Sequence, residues 1–573
     1  MKRDPLSPFF SLEEQKRLGA MRRKVRRDRA QIVFCVYENP FAKGGGVFVA
    51  AQNHCAQLAE SGEKVIAVSP YHSKLKSCPK PSDVQKIGAC KVEFNGKPVA
   101  VELFEHIDTR AVRWILPKAK GFFEANGGPD GKSPYIYHHS RTSNRLLRDS
   151  LFLCKAIPAA VKELGLTRDL IFHLQDWELV ATALTVKEAL LRVDLKSAAV
   201  VLTSHNPYDH VLPKRYLKGI TQRTDRAPKP DPTVYQYMLP LLDATLGTVS
   251  KTFARELVTD PLQTAYFADH LQEAYRRQGL VGIDNGLFGR LVAGFSSRAI
   301  RRAKRGDFEA ILKEKLDKRN TMLAMLETYR DARLLGGLRA ERGRSIVELD
   351  SRIPVFFMFG RLDPGQKGFD LFANAVRRLP RFAARYILAV MVDGSPPPFY
   401  EDLERLARSR PGEVVVYPFR MDEGYLETMA GATFAVMPSL YEPFGAATEP
   451  FLAGTPVVAR ATGGLAEQVL DVDAGSTKAT GLLFHEKVPR GTNLAQEWRR
   501  IQEAPNPSSR KASILYETLT EALVETLVRA IGIYQTDPVR YARMLAGLYD
   551  QAKRFSWKRA VQRYEKVYDR AVR

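Results

Sequence analysis

No apolar run in this sequence reaches the roughly 20 residues that cross a bilayer, so no transmembrane helix is expected. The opening MKRDPLSPFFSLEEQKR lacks the apolar core of a secretory signal, which points to the cytoplasm. Cysteine is scarce: Cys35, Cys55, Cys78, Cys90 and Cys154 all fall in the first third, without CxxC or a histidine at metal spacing. That pattern offers neither a disulfide framework nor a zinc site, and implies buried or free thiols in a reducing compartment. Acidic residues are outnumbered, Asp+Glu 64 against Lys+Arg 87, for a net charge of +23. Basic clusters at 22–29 (RRKVRRDR) and 298–305 (RAIRRAKR) would suit nucleic acid or an anionic membrane surface. Zinc patterns, RNP-like aromatic strands and basic-region heptads are all missing, however, so no nucleic-acid partner is expected. The charge also suits an anionic substrate.

What is present is an alternation of short β-branched runs with amphipathic stretches, over a length of 573 residues that exceeds one core. Candidate strands at 31–37, 64–70, 170–176, 199–205 and 244–250 form a first series. A second runs through 353–360, 386–394, 413–419, 433–439 and 455–460. Runs this apolar suit strands covered on both faces, so the fold class is α/β with two doubly wound, Rossmann-like domains. The reading divides the chain into a basic N-terminal extension (1–29), an N-terminal domain (30–335), a C-terminal domain (336–545) and a final helical segment (546–573). Segments 121–134, 218–232 and 486–511 read as irregular, the last as an insertion in the second domain. In 556–572 a helix would align Trp557, Val561, Tyr564 and Tyr568 on one face, which should pack on the first domain.

Open α/β sheets collect ligands beyond the carboxyl ends of their strands. After the first strand stands NPFAKGGGVFVAAQ (39–52), where a lysine and adjacent glycines lead into a helix. Such a turn suits a phosphate, through helix N-terminal amides and the Lys43 charge, or is simply a flexible turn with a solvated lysine. Other strand ends carry Gln175-Asp176-Trp177, Ser204-His205-Asn206, Gly360-Arg361 with Lys367-Gly368, Asp393-Gly394, Phe419-Arg420 and SLYEPFG (439–445). The cations Lys43, Arg361 and Lys367 suit a diphosphate. Asp176, His205 and Glu442 suit sugar hydroxyls.

At these residues the chain resembles the prokaryotic glycogen/starch synthases, retaining glucosyltransferases of the GT-B fold. The motifs run in order: ENPFAKGGG (38–46), NRLLRDSLFLCKA (144–156), FHLQDWE (172–178), TSHNPY (203–208), TVSKTFARE (248–256), GIDNG (282–286), GRLDPGQKG (360–368), PSLYEPFG (438–445), TPVVARATGGL (455–465) and FSW (555–557). The resemblance implies two domains facing a cleft, the first on the acceptor side and the second holding the nucleotide sugar, with the C-terminal helix returning to the first. It also implies transfer of glucose from ADP-glucose or UDP-glucose to the non-reducing 4-hydroxyl of an α-1,4-glucan, with retention. Arg361 and Lys367 match the diphosphate-binding pair and would replace a metal, so no metal or other cofactor is expected. Glu442 matches the carboxylate that holds the transferred glucose, His205 a sugar-binding histidine and Asp176 the aspartate of the family's HDW-type segment. Lys43, Gly45, Gly46, Gly445 and Ala446 fall on donor-binding positions.

The match departs from the family in places. Val47-Phe48-Val49 lack the acid of the usual Leu-x-Asp, and Leu287-Phe288 follow GIDNG where an aspartate is usual. The ribose-gripping glutamate position holds Pro450, with Glu449 one place earlier, and one residue turns a helix by about 100°. Phe419 or Arg420 stands where relatives stack an aromatic on the base. The residues therefore also admit a GT-B transferase for another sugar or a small acceptor, or a catalytically inactive glucan-binding homologue.

Overall fold

The computed structural model describes residues 9–128, 131–137, 142–223, 232–289, 293–340, 344–392, 397–473 and 478–573, apart from the side chains at 142, 143, 265 and 266. Asp393, Gly394 and most of the 218–232 segment lie outside these. The chain divides into two units. The first runs to Val258 and adds Phe267–Phe288 and Ser556–Arg573; the second is Thr259–Tyr266 with Gly289–Phe555.

The first unit contains β1 (Gln31–Cys35), β2 (Lys64–Val68), β3 (Gln85–Phe94), β4 (Lys97–Ile107), β5 (Arg113–Lys118), β6 (Leu170–Gln175), β7 (Ala198–Ser204), β8 (Leu246–Thr248) and β9 (Leu280–Gly282). They form one sheet in the order β3-β4-β5-β2-β1-β6-β7-β8-β9. Its parallel part is buried on both faces, as the apolar runs require: β6 and β7 are buried at every position. Strands β3, β4 and β5 lie outside the expected series: β5 pairs parallel with β2, and β4 runs antiparallel between β5 and β3. Asn95 (φ 51°) and Gly96 (φ 71°) form the two-residue turn joining β3 to β4, the left-handed pair that matches strand twist.

The final helix Trp557–Val572 packs on this unit, with Trp557, Val561, Tyr564 and Tyr568 all buried. His173 on β6 anchors it, one ring nitrogen 2.8 Å from the Tyr568 hydroxyl and the other 2.8 Å from Thr203. The stretch expected to be a basic extension is also part of this unit. Its helix Leu12–Arg23 has a Ser11/Glu14 capping box, and Phe9, Phe10 and Leu18 are buried anchors that a count of charges overlooks.

The second unit contains β10 (Leu335–Gly336), β11 (Val355–Arg361), β12 (Arg385–Met391), β13 (Val414–Tyr417), β14 (Phe434–Met437), β15 (Val457–Arg460) and β16 (Gly481–Phe484). The order is β10-β13-β12-β11-β14-β15-β16, parallel except at β10. Packing sets its limits at Phe288/Gly289 and Phe555/Ser556, where the sequence reading drew 335/336 and 545/546. The region around 300–350, whose charged, helical sequence reads as a junction between the domains, begins with the helices Ser297–Lys304 and Glu309–Thr328, whose Lys315 and Arg319 are buried within this unit. Segment 486–511 is likewise not irregular. Its helix Leu494–Glu503 buries Trp498, and Arg510 is buried against Asp370, two contacts of 3.1 Å, so its polar residues are packed rather than solvated.

Candidate active-site residues

In the first unit the glycine turn follows β1 and opens the helix Val47–Glu60. Gly44 is required sterically, because a Cβ there would collide with the Tyr135 ring. The amides expected to face a ligand are met from within. The Glu38 carboxylate, almost fully buried, accepts from Phe48 N–H at 3.1 Å and Gly45 N–H at 3.4 Å, and the Tyr135 hydroxyl donates to it at 3.0 Å. Burial pushes the Glu38 carboxyl above the usual range. Lys43 is exposed, its ammonium 4.7 Å from the centre of the Phe48 ring.

Asp176 follows β6 directly in a left-handed conformation, φ 58°, which aspartate tolerates better than most residues. This turn aims its carboxylate at the end of β7, where Oδ1 accepts from His205 N–H at 2.5 Å and Asn206 N–H at 3.3 Å. The His205 ring meets the Gln175 side-chain oxygen through Nε2 at 2.8 Å. Burial lowers His205 to about 4, so it is neutral near pH 7, and raises Asp176 to about 7. Glu178, buried within electrostatic range of Asp176 and Glu38, is raised well above the carboxylate range, first by burial and then by those neighbours. Asp176 and His205 are thus brought together, with Glu38, Glu178 and Tyr135 around them. The last three were not singled out from sequence, although Glu38 and Glu178 stand in the quoted ENPFAKGGG and FHLQDWE stretches.

In the second unit β11 ends at Arg361 and neighbouring β14 leads to Glu442. Lys367 Nζ lies 2.7 Å from Glu442 Oε2, which also accepts from the Ser439 hydroxyl at 3.0 Å. Glu442 is 8% exposed and the Lys367 side chain 24%, so the pair is within reach of a ligand without being solvated throughout. Arg361 projects outward, 55% exposed, with a loose 3.9 Å contact to Asp363. Glu449 lies in the first turn of the helix Thr448–Ala453, and burial raises it to about 7 despite Lys367. Ala446 accepts the Glu449 backbone N–H at 3.1 Å. Phe419 is half-buried with the Arg333 guanidinium stacked on its ring at 3.9 Å, while Arg420 is exposed and paired with Asp422 at 3.0 Å.

The loop carrying Glu442 is held by glycines and an arginine of the quoted motifs and by Gln468, which lies outside them. Gly445 has φ 87°, and a Cβ on it would lie 2.8 Å from Leu465. Gly463 and Gly464 let the next loop close on it, since side chains there would strike the Glu442 and Phe444 carbonyls. Gln468, fully buried, accepts from Ala447 N–H at 3.0 Å and donates to the Phe444 and Gly445 carbonyls at 2.8 and 3.3 Å. Arg460 donates to the Leu440 carbonyl at 2.6 Å and is itself held by Glu486. Such clamps fix the position of the Glu442 carboxylate. Among the described residues no group of three or more His, Cys, Asp or Glu is placed to hold a metal. No helix there is long and apolar enough to cross a membrane.

Comparison with known proteins assigns relatives to both halves. Residues 31–276 match the family described as starch synthase catalytic domain, and residues 318–563 the family described as family 4 glycosyltransferase in conflict systems. Glycogen synthase of Anaeromyxobacter sp. (strain K) is 28% identical over 560 residues, 94% of this chain and 99% of that one. That of Thermotoga maritima is 27% identical over 485 residues, 79% of this chain and 87% of its own. Among solved structures, the catalytic domain of starch synthase IV from Arabidopsis thaliana bound to ADP and acarbose has a TM-score of 0.69 at 19% identity, covering 95% of this chain and 99% of that one. The last likeness shows the fold, GT-B.

Proposed function

We propose that this chain, a glycosyltransferase that resembles the glycogen and starch synthases along nearly its whole length, transfers glucose from a nucleoside diphosphate glucose to the non-reducing 4-hydroxyl of an α-1,4-glucan, with retention. The supporting observation is the Lys367–Glu442 pair, a cation and a carboxylate joined at 2.7 Å beyond adjacent strands. In this reading Arg361 and Lys367 take the donor diphosphate, where fixed cations stabilise the charge that develops as it leaves. Donor binding draws Lys367 away from Glu442, and the freed carboxylate stabilises positive charge near the anomeric carbon. His205, neutral, meets a sugar hydroxyl through Nδ1, and Asp176 orients donor or acceptor hydroxyls. Lys43, Gly45, Gly46, Gly445 and Ala446 approach the donor, Glu449 the ribose, and Phe419 or Arg420 the base. ADP-glucose is the preferred donor, no metal or other cofactor takes part, and the reaction runs in the cytoplasm.

The match of residues 318–563 to a family of conflict systems favours a second reading, the same chemistry on another sugar or a small acceptor. The decisive experiment supplies purified protein with ADP-glucose or UDP-glucose, each with and without glycogen or maltooligosaccharide. Released nucleoside diphosphate and chain length are measured. Glucan-dependent release with longer chains supports the synthase and names its donor. Release without elongation moves the assignment to another acceptor, and no release with either donor refutes the glucose reading.

A further inference from the structure

Away from these residues, the second unit contains a cavity of about 60 Å³ lined by Lys315, Leu316, Arg319, Thr433, Tyr534 and Tyr541 among others. Its volume is room for about two water molecules or one small anion. Arg319 is 2% exposed, and only one of its contacts is made, Nη2 donating to the Asp350 carbonyl at 3.0 Å. Nε and Nη1 are buried without a hydrogen-bond partner. A guanidinium does not give up its proton in a protein, and a buried charge without counter-charge or complete hydrogen bonding is costly.

Among the described residues the Asp350 carboxylate acts on this guanidinium only at a distance, without a direct pair. Among the described residues no carboxylate forms an ion pair with Arg319 or Lys315, and the nearby Asp350 carboxylate is turned to Arg352, 2.9 Å away. Lys315, beside Arg319, offers no free donor. It is 5% exposed, with its ammonium spent on the Ala430 and Gly454 carbonyls and the Thr455 hydroxyl at 2.7–2.9 Å. Burial, with Lys318 and Arg319 close by, pushes its pKa well down. The tyrosines are also committed, Tyr541 to the Thr433 carbonyl at 3.0 Å and Tyr534 to the Ser351 carbonyl at 2.6 Å, which leaves the two arginine N–H groups as the open donors.

We propose that this cavity binds one small tetrahedral oxyanion, inorganic phosphate or sulfate, through Arg319. The anion completes the guanidinium's hydrogen bonds and balances its charge. It ties the helix Glu309–Thr328, which carries Lys315 and Arg319, to the helices Ile514–Thr536 and Pro538–Ala552, which carry the tyrosines. The site involves none of the residues assigned to sugar transfer.

Thermal unfolding of the full chain, titrated with potassium phosphate or sulfate at constant ionic strength in chloride, tests this. Both anions stabilise proteins generally by exclusion from the surface, and phosphate could also occupy the donor-diphosphate residues, so variants decide. Wild type and Arg361→Ala are expected to show a saturable rise in Tm of a few degrees, and Arg319→Met none. Leu316 is 40% exposed at the cavity, so Leu316→Glu should fold, place an internal carboxylate at the mouth and abolish the rise, while Leu316→Gln keeps it. The Leu316 pair carries the test should Arg319→Met not fold. Equal responses in wild type and either Arg319→Met or Leu316→Glu overturn the proposal, as does a response lost only in Arg361→Ala.

Discussion

Replacing Glu442 by glutamine changes one charge and almost no volume, so its effects on folding and on rate should separate. Glu442 Oε2 accepts from Lys367 at 2.7 Å and from Ser439 at 3.0 Å, and a glutamine oxygen can keep both bonds. What is lost is the difference between a charged and a neutral acceptor, about 1 kcal/mol on the usual range for hydrogen bonds. Lys367, whose side chain is 24% exposed, keeps part of its hydration and does not pay the full penalty of an orphaned buried cation. Unfolding in urea should therefore show a modest shift in midpoint with an unchanged slope.

Rate should respond far more. A carboxylate that stabilises charge only in the transition state resembles a preorganised donor whose removal costs roughly 10²–10³ in kcat, or about 2.7–4 kcal/mol. Glucan elongation measured with kcat and KM resolved should show the loss in kcat. Lys367→Met should instead weaken donor binding as well, and the double variant should fall short of the product of the single losses, because the two groups form one unit. A Glu442→Gln protein with the expected urea midpoint and a kcat within about threefold of wild type would refute the role assigned to this residue.

Three further outcomes follow from the geometry. Gly445→Ala places a Cβ at φ 87° and 2.8 Å from Leu465, so it should cost about 1–3 kcal/mol; an unchanged urea midpoint would show that the loop relaxes freely. Gln468→Leu removes three hydrogen bonds that hold residues 444–447, at about 1 kcal/mol each, and should lower kcat more than it raises KM if the loop's position matters to chemistry. Burial raises Asp176 to about 7, so elongation that needs its ionised form should fall as pH drops through 7, and Asp176→Asn should flatten that limb. Stability has the opposite sign: the raised carboxyl costs nothing below its unfolded value of about 3.9 and progressively more as pH rises through 7. Asp176→Asn should accordingly gain on wild type in thermal stability between pH 5 and 8, and parallel profiles would contradict the shift.

Strands buried on both faces announce themselves, and β1, β6, β7, β11 and β12 lie where their apolar runs place them. The antiparallel β3 and β4 do not, because their faces are half solvated and their residues alternate. Even so, FNGK (94–97) held a strong hairpin signal, and Asn95-Gly96 forms the turn it specifies. Charge misled at both ends of the second unit. Lys315, Arg319 and Arg510 are packed inside, and composition cannot distinguish an arginine with a buried partner from one in solvent. The unit boundary moved for that reason: helices that read as a charged connection are part of a core.

At the site, residue types were legible and directions were not. The spacing of Lys367 and Glu442 along the chain gives no sign that they touch, since their contact depends on β11 lying beside β14 and on Gly445, Gly463 and Gly464 closing the loops between. Glu38 is the sharper case. A glycine turn opening a helix reads as amides awaiting an anion, yet a carboxylate a few residues earlier already occupies two of them. Its burial raises its pKa and Tyr135 holds it in place, so this turn is rigid before any donor arrives. In the proposed reading, attraction for a diphosphate at this turn comes from the exposed Lys43 rather than from the amides that Glu38 has taken. The glycines serve the turn's shape, with Gly44 making room for the Tyr135 ring that secures it.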